Sequence, residues 1–167
     1  MAYGCVFCRT GRESSVGEAL ERKIPGLRAL IPYKLRLFRS RGTVTEQKVT
    51  IFPGYCFISA PEDADLYSVR HMEHVYRLLT DGEGCWQLRG ADRTIAEKLF
   101  SVNGVIGLSK AYYVGDRLRV TEGFLKDYQG SIIRVNRRAG TAQIRIEFDG
   151  KMITAWVGFE MLDGPVQ

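Results

Sequence analysis

The 167-residue sequence lacks the features of a membrane or secreted protein. No stretch approaches the roughly 20 apolar residues that a membrane-spanning helix needs. The first residues, MAYGCVFCRTG, have no basic segment ahead of their short apolar run, so we expect no signal peptide. Because 45% of the residues are hydrophobic and 26% are charged, the composition is that of an ordinary globular protein, and we expect a cytoplasmic location without membrane contact.

Catalytic signatures are absent from the sequence as well. It contains no glycine-rich phosphate loop, and no Ser/His/Asp or Cys/His set stands in a recognisable context. The sequence therefore predicts a protein that is not an enzyme, needs no cofactor and acts through its binding surfaces.

Cysteine is scarce, and only Cys5 and Cys8 have the spacing of a zinc or redox half-motif. The surrounding run, YGCVFC, is typical of a β-strand, in which residues three apart point to opposite faces. The histidines, His71 and His74, lie in a segment with apolar periodicity. We therefore predict buried thiols in a reducing compartment and no metal site.

Positive charge is in modest excess overall, but it is concentrated in one window. The net charge is +5, and the segment from Arg28 to Lys48 alone holds six basic residues against one acid, Glu46. This excess predicts a nucleic-acid contact on one side of the protein, with solvated charges on a hairpin as the alternative.

Apolar periodicity divides the first part of the chain into alternating strands and helices. Helical spacing appears at residues 16–24 and at 91–102, and a further helix is predicted for LYSVRHM, behind the acids of PEDAD. Two polar-alternating runs around Ser40-Arg41-Gly42 predict a β-hairpin. These elements predict an α+β fold, with a largely antiparallel sheet flanked by helices.

The pattern changes after Asn103-Gly104, where helical periodicity ends. The short alternating runs RLRV, SIIRV, AQIRIEF and MITAWV follow, and they predict a small closed all-β barrel. The predicted division is a first domain at 1–105, a short linker at 106–113 and the barrel at 114–167.

The barrel segment resembles a KOW motif inside an SH3-like barrel. In E-G-F-L-K-D-Y-Q-G, one glycine suits a turn with positive φ and the other suits a tight reversal of the chain. Such motifs occur in ribosomal proteins and in transcription factors of the NusG/Spt5 family. The matching residues are Gly115, Asp116, Val120, Gly123, Phe124, Gly130, Ile132 and Val135.

The first domain resembles the N-terminal (NGN) domain of NusG proteins. Those domains open with an aromatic-led strand and a helix bearing an early Glu, and they later carry an F-P-G-Y strand start and a V-R step. The matching positions here are Tyr3–Phe7, Glu13, Ile51–Tyr55 and Leu66–Arg70, in the same order. Together with the KOW motif, the resemblance to the NusG/Spt5 family covers nearly the whole chain.

Within that family, the sequence is most similar to the LoaP branch of specialised NusG paralogs. The similar features are T-G-R-E after the first strand, a compact linker, L-K-D-Y-Q-G and the ending W-V-G-F-E-M. This resemblance implies processive antitermination on long operons, through RNA polymerase and a hairpin in the nascent leader RNA. Phe148-Asp149-Gly150 departs from the NusG pattern, in which an aromatic directly before the glycine helps to hold a ribosomal protein or Rho.

The resemblance also implies a hydrophobic depression in the NGN domain, which receives the clamp helices of the largest polymerase subunit. The residues that it implies are Phe52, Pro53, Gly54, Tyr55, Leu66, Val69 and Arg70. The alternative is that Phe52 and Val69 are core residues. An exposed fraction of Phe52 above a few per cent would favour the depression.

Nucleic-acid contacts are predicted for basic residues in three segments, because Arg and Lys contact phosphate. These residues are Arg9 and Arg12 after the first strand, Lys34, Arg36, Arg39, Arg41 and Lys48 on the hairpin, and Arg137 and Arg138 in a KOW loop. Tyr33 and Phe38 could stack bases, although core packing explains them better. We expect a monomer whose partners are polymerase and nascent RNA, with non-template DNA as a further candidate.

Three alternatives remain open at this point. A general NusG elongation factor is the alternative within the family. A stand-alone KOW-type RNA-binding protein comes from another class and would not need the F-P-G-Y segment. A thiol enzyme built on Cys5 and Cys8 would need both sulfurs on one face, which strand geometry opposes.

Overall fold

The computed structural model describes residues 1–163, apart from the side chains of residues 37–39. The strands are β1 (Ala2–Cys8), β2 (Arg28–Leu30), β3 (Tyr33–Ser40), β4 (Thr43–Thr50), β5 (Tyr55–Ala60), β6 (Val75–Leu78), β7 (Val105–Ile106), β8 (Ser109–Val114), β9 (Arg117–Glu122), β10 (Ile132–Asn136), β11 (Thr141–Phe148) and β12 (Lys151–Met161). The α-helices are α1 (Glu13–Lys23) and α2 (Gly90–Ser101), and 3₁₀ helices span Tyr67–His71 and Phe124–Ser131. No helix in this described part is long and apolar enough to cross a membrane.

The chain folds into two compact units that are not continuous in sequence. The first unit consists of Met1–Tyr33 and Phe52–Val105, and the second consists of Lys34–Ile51 and the residues from Ile106 onward. The segment 106–113, which the sequence predicts as a linker, contains most of β8. The division into domains at 1–105 and 114–167 stays a prediction.

An antiparallel sheet in the order β2-β5-β1-β6 forms the centre of the first unit. The two inner strands, β5 and β1, are almost entirely buried. Burial on both faces explains why YCFISA and AYGCVFC are nearly continuous apolar runs without polar alternation. Strand β1 therefore holds a central position, as its composition suggests.

Helix α1 covers one face of this sheet with the apolar stripe that its sequence predicts. Val16, Leu20 and Ile24 pack in one buried cluster with side chains of β1 and β5. The helix ends at Lys23, ahead of Pro25, whose ring cannot continue a helix. A Cβ added at Gly17 would lie 3.2 Å from the side chain of Ala29, so this glycine allows the helix to approach β2 closely.

Helix α2 packs on the sheet beside β1, through Ile95, Ala96, Leu99 and Phe100. The Phe100 ring lies 5.3 Å from the Tyr3 ring. The helix predicted at residues 91–102 is confirmed, but the one predicted for LYSVRHM is only a 3₁₀ helix. It ends where Met72 adopts an extended backbone. Tyr, Val and His are weak helix formers, so this short segment does not sustain an α-helix.

The second unit contains a curled five-stranded sheet in the order β10-β11-β12-β8-β9. Its pairs are antiparallel except for β12 with β8, where Phe159–Met161 run parallel to Ser109–Ala111. Its interior is filled by buried apolar side chains of alternating strand positions, such as Ile144, Ile146 and Val157. The predicted α+β class, with a small all-β part at the C-terminal end, is confirmed.

The β-hairpin predicted around Ser40-Arg41-Gly42 is formed by β3 and β4, and β3 lies between β4 and β7 in a three-stranded sheet. Its two-residue loop has φ values of 49° at Arg41 and 78° at Gly42. Positive φ at both loop positions is the mark of a type I′ turn, whose twist matches that of the flanking strands.

Candidate functional site

The F-P-G-Y segment forms a tight turn at the start of β5. The Tyr55 amide donates a 3.0 Å hydrogen bond to the Phe52 carbonyl. Pro53 holds the second turn position, and Gly54, in the third, has a φ of 85°. These features define a type II turn, which needs a residue that tolerates positive φ in its third position. The strand is interrupted at Pro53-Gly54 because the turn requires these two residues.

Hydrogen bonds hold the turn to the end of β1 and to the start of α1. The Cys8 amide donates a 2.7 Å hydrogen bond to the Gly54 carbonyl. The buried carboxylate of Glu13 accepts hydrogen bonds of 2.9 Å from the amides of Gly54 and Gly11. The early glutamate of the first helix therefore joins the turn, the helix and the preceding loop, and bonds of this charge-assisted kind are strong.

Phe52 lies in the core and not on a surface. Its exposed fraction is 0%, and its ring packs edge-on against Phe57 at a centroid distance of 5.6 Å. The expectation that Phe52 lines an exposed depression is thus corrected, and the alternative, that Phe52 is a core residue, fits its burial. Removing this large apolar ring from water stabilises the fold. Buried with it are Gly54, Tyr55, Leu66 and Val69. Of the seven residues that the resemblance implies, Pro53 and Arg70 are exposed.

Three aromatic side chains on adjacent strands lie beside this turn, and we call them the aromatic row: Tyr55 on β5, Phe7 on β1 and Tyr76 on β6. The Phe7 ring centroid is 5.1 Å from that of Tyr55 and 5.8 Å from that of Tyr76. Tyr76 is 64% exposed, and the Arg77 guanidinium lies 5.9 Å from the Phe7 ring. Tyr55 is buried, Phe7 is half-buried and Tyr76 is exposed, so the row is an aromatic cluster that reaches the surface beside a cation, a combination common at protein interfaces.

Sequence reasoning missed Phe7 and Tyr76 as candidate site residues. Alternation along β1 could have indicated that Phe7 shares a face with Tyr3. Nothing in the sequence indicates that Tyr76 lies against Phe7, because this neighbourhood depends on the pairing of β1 with β6. That pairing shifts register between Phe7 and Cys8.

The 3₁₀ helix Tyr67–His71 carries a second exposed aromatic group. The Arg70 guanidinium lies 5.7 Å from the Tyr67 ring, and the His71 ring meets the Tyr67 ring edge-on at 6.1 Å. Tyr67 is exposed, whereas Val69 on the same helix is buried. Arg70, a predicted site residue, therefore stands on the surface with an aromatic partner.

Arg9 and Arg12 lie on the surface of the loop between β1 and α1. The Arg9 amide donates a 2.9 Å hydrogen bond to the His74 carbonyl, and the Arg12 amide donates one of the same length to the Arg9 carbonyl. Gly11 of this loop is bound to Glu13, which also holds the F-P-G-Y turn. The structure thus places both arginines on the β1–α1 loop, which Glu13 holds beside the F-P-G-Y turn by hydrogen bonds.

On the β3–β4 hairpin, the side chains of Arg36, Arg41 and Lys48 are exposed, and their contact with phosphate stays a prediction. Lys34 is half-buried and donates a hydrogen bond from Nζ to the Trp156 carbonyl. Burial, followed by the nearby Arg36 charge, lowers the pKa of Lys34. The predicted contact Arg39 and the stacking candidate Phe38 lie outside the described side chains, and Tyr33 is half-buried.

Arg137 and Arg138 occupy the turn between β10 and β11, and both are exposed. The Arg137 guanidinium lies 3.7 Å from the centroid of the Tyr113 ring, which holds it by a cation–π contact. The turn itself is closed by a 3.0 Å hydrogen bond from the Ala139 amide to the Asn136 side chain. Arg137 therefore presents an ordered cationic group at one end of the second unit.

The thiols of Cys5 and Cys8 point to opposite faces of β1, as strand alternation predicts. Cys8 packs in the α1-side cluster with Cys56, and all three cysteines are buried as thiols. Burial raises the pKa of Cys8 to about 11 and that of Cys56 to about 12. Among residues 1–163, no group of three or more metal-binding side chains occurs.

A family model described as "Transcription termination factor nusG" matches residues 1–97, which include the fastened turn, the aromatic row and the hairpin. The chain belongs to the NusG family. A solved structure of NusG from Thermotoga maritima, titled "Domain interaction in Thermotoga maritima NusG", is similar over 94% of this chain and 93% of that chain, at 18% identity and a TM-score of 0.57. At this identity the likeness concerns the fold alone. The comparison with curated proteins gives no match.

The departure from the NusG pattern at Phe148-Asp149-Gly150 has a geometric basis. Phe148 is fully buried at the end of β11. Asp149 and Gly150 form the two-residue loop to β12, with φ values of 55° and 68°. This is again a type I′ turn, for which Asp-Gly is a favoured pair. The aromatic side chain is therefore withdrawn into the core, and the loop presents a carboxylate.

Proposed function

We propose that this NusG-family protein is a processive antitermination factor of the LoaP type. It binds RNA polymerase through an NGN domain at 1–105 and a hairpin of the nascent leader RNA, while a linker at 106–113 leads to the KOW domain at 114–167. Family membership and the NusG-type fold support the coarser statement, a role in transcription elongation. The observation that carries the proposal is the fastened F-P-G-Y turn beside the aromatic row.

In the polymerase surface that we propose, the buried residues implied by the resemblance support the surface and the exposed ones contact polymerase. Phe52, Leu66 and Val69 hold the turn and the 3₁₀ helix in place from inside the core. The contacts are made by exposed or half-exposed groups, namely Tyr76, Phe7, Pro53, Arg70 and Arg77. Aromatic and arginine side chains supply most of the binding energy in protein interfaces. The clamp helices of the largest polymerase subunit are the partner that the family resemblance implies.

The variant Tyr76→Ala tests this surface. Because Tyr76 is 64% exposed, its truncation should leave the fold intact. Loss of one aromatic anchor should weaken polymerase binding by about tenfold, the effect of roughly 1.4 kcal/mol at an interface hot spot. Binding of labelled protein to core RNA polymerase gives the affinity, and equal urea midpoints establish equal folding.

Met152→Ala is the matched control, since Met152 is exposed to a similar degree on the second unit. Unchanged affinity of Tyr76→Ala would contradict the proposed surface. Phe52→Ala is a poor test, because truncation of a fully buried phenylalanine costs about 3–5 kcal/mol of stability.

The RNA part of the proposal rests on the exposed cations of the second unit. Arg36, Arg41 and Lys48 lie on the hairpin and Arg137 on the β10–β11 turn. RNA hairpins are bound through phosphate and 2′-OH contacts and through unstacked loop bases. A β-hairpin with cations on its exposed face suits the phosphate part of such recognition.

Arg41→Asn tests the hairpin contact without disturbing the loop, because Asn-Gly is the preferred type I′ pair. If Arg41 binds a phosphate, the slope of log affinity against log salt should become shallower by about 0.7–0.9. Arg93→Gln is the control, since Arg93 lies on α2 in an ion pair with Glu97 at 2.8 Å. An unaltered slope for Arg41→Asn would remove this residue from the RNA interface.

A general NusG elongation factor is the alternative function. The buried Phe148 and the carboxylate at Asp149 favour the specialised function, because the loop lacks the exposed aromatic that general NusG proteins use to hold a ribosomal protein or Rho. Gel-shift binding of the purified protein to leader RNAs, with and without polymerase, distinguishes the two. Tight binding to one hairpin without polymerase supports the LoaP type, and equally weak binding to all leader RNAs contradicts it.

A further inference from the structure

The five-stranded sheet of the second unit has two open edges. Its order leaves one side of β10 and one side of β9 without a partner strand among the described residues. On β9, the Gln129 side chain takes the place of a partner: it accepts a 3.0 Å hydrogen bond from the Val120 amide and donates one of 3.3 Å to the Leu118 carbonyl. The sheet therefore ends in a seam between β9 and β10 that is not closed by strand pairing.

A groove of about 720 Å³ runs along this seam. Val135 on β10 pairs with the fully buried Ala142, so its side chain is on the core face of the sheet. Val135 is nevertheless 38% exposed. Ile132 pairs with the fully buried Ile144, so it is also on the core face, and it is only half-buried. The apolar core face is thus left uncovered along the open edge.

The outer face of the same seam is cationic. Arg117 and Arg119 alternate with the buried Leu118 and Val120, so the two arginines lie on the outer face of β9. Arg134 lies opposite Gln143, on the face opposite to Val135. All three arginines line the groove, whose one acidic lining residue is Asp116.

We propose that this groove binds an extended polypeptide segment that adds to the free edge of β10 as a further strand. Its side chains alternate, with apolar groups on the core face against Val135 and Ile132, and acidic groups on the outer face against the three arginines. Strand addition satisfies the backbone groups of an open edge, and side-chain pockets on both faces give it specificity. Arginine pairs with carboxylates in a bidentate geometry, which favours an acidic partner.

The groove differs from the surfaces already described. Its lining does not include the β11–β12 loop at Asp149-Gly150, where the resemblance puts contacts with a ribosomal protein or Rho. A nucleic-acid strand would use the arginines but would leave the backbone edge and the apolar core face unmatched. The combination of an open edge, uncovered apolar side chains and outer arginines therefore selects an acidic and apolar polypeptide.

Fluorescence anisotropy of the full chain tests the proposal with a labelled peptide in which Glu alternates with Val. The peptide has about ten residues, the upper length of ordinary strands. We expect saturable binding that Arg119→Glu and Arg134→Glu each weaken by about fivefold, the upper effect of one exposed charge pair. Arg145→Glu is the matched control, because Arg145 is exposed on β11 and does not line the groove, and it should leave the affinity unchanged.

Two further peptides test the mode of binding. A peptide with Lys in place of Glu should not bind, because it meets the arginines with like charge. A peptide with Pro at one central Val and at the neighbouring Glu should not bind either, because alternate N–H groups of a strand point to opposite sides and one of the two prolines must remove a ladder hydrogen bond. Equal binding of the proline peptide would overturn strand addition.

Other results would overturn the proposal in distinct ways. Failure of the Glu–Val peptide to bind overturns it directly. Displacement of the peptide by oligouridine of similar length, with an RNA affinity that depends on Arg119, would make the groove a nucleic-acid site. Dimerisation of the free protein that Val135→Asp abolishes would show that the edge pairs with a second copy of the chain. None of these outcomes depends on polymerase binding through the aromatic row.

Discussion

At the scale of single residues, Gly54 explains why a strong strand is interrupted at its most apolar point. Its φ of 85° lies in the left-handed region, and a Cβ there would stand 2.9 Å from the Phe7 ring and 3.1 Å from the Cys8 carbonyl oxygen. The glycine therefore meets two demands at once, a turn conformation and a close approach to β1.

The substitution Gly54→Ala should accordingly cost more than conformational strain. Strain at positive φ contributes about 1–2 kcal/mol, and the displaced Phe7 ring adds to it. Gly42→Ala is the control, since Gly42 has a φ of 78° but no atom within 4 Å of its added Cβ. Urea unfolding should show a larger loss for Gly54→Ala. Equal losses would mean that the contact with Phe7 and Cys8 is unimportant.

Glu13 illustrates how one residue can be recognised from the sequence without its role being understood. Its position early in the first helix is part of the family resemblance. The structure supplies the reason, because its carboxylate joins the amides of Gly11 and Gly54 at 2.9 Å. The second partner is 41 residues away in the chain, so no local pattern could have indicated it.

Glu13→Gln should destabilise the first unit by about 1–3 kcal/mol. Glutamine keeps one acceptor oxygen, but its NH₂ group faces an amide donor and leaves that donor unsatisfied. Glu18→Gln is the matched control, since Glu18 is exposed on the same helix. The free energy of unfolding in urea measures both variants. A loss for Glu13→Gln no larger than for Glu18→Gln would contradict the role assigned to the carboxylate.

At the scale of elements, the β3–β4 hairpin shows what patterning predicts well, and the 3₁₀ helix and Phe52 show what it does not. Alternation and a Gly in the loop predicted the β3–β4 hairpin, because turn chemistry is local. The 3₁₀ helix at Tyr67–His71 was predicted as an α-helix, because the spacing of Leu66 and Val69 suits both. Phe52 was expected at a surface and lies in the core, since burial depends on packing against Phe57 on the following strand.

Arg41→Asn should raise the stability of the hairpin. Arg41 adopts a φ of 49°, a conformation that asparagine tolerates better than arginine does. The expected gain is of order 0.5 kcal/mol, observed as slower hydrogen exchange of the β3 and β4 backbone amides. Arg41→Ala should instead speed exchange. If both variants exchange alike, the loop conformation does not limit the stability of the hairpin.

At the scale of the whole molecule, fold class and family were predictable from the sequence, and the composition of the compact units was not. The F-P-G-Y turn and the KOW glycines can be recognised in the sequence because tight turns require particular residues at particular positions. The grouping of Lys34–Ile51 with the residues after Ile106 depends on contacts between distant segments. The aromatic row also depends on contacts between distant segments, because the pairing of β5, β1 and β6 brings its three side chains together. The fold class could therefore be predicted from the sequence, whereas the candidate surfaces could be found only from the structure.

Two buried thiols should make the molecule sensitive to alkaline pH. Burial is the main cause of the raised pKa values of about 11 for Cys8 and about 12 for Cys56, and the Glu13 carboxylate adds to the first. Because both values exceed the ordinary 9.0, the folded chain binds these protons more tightly than the unfolded chain does. This contribution to stability is complete below about pH 9 and is lost as the pH rises through about 11–12.

The free energy of unfolding should therefore fall by roughly 2 kcal/mol for each thiol, or about 4 kcal/mol for both, between about pH 8 and about pH 10.5. A double variant, Cys8→Ala with Cys56→Ala, separates this effect from the titration of lysines and tyrosines. It should begin at a lower stability, because it loses buried sulfur, but its pH dependence should be flatter. Urea unfolding of both proteins at the two pH values gives the comparison. Parallel pH profiles would mean that the thiols are not protonated more tightly in the folded state.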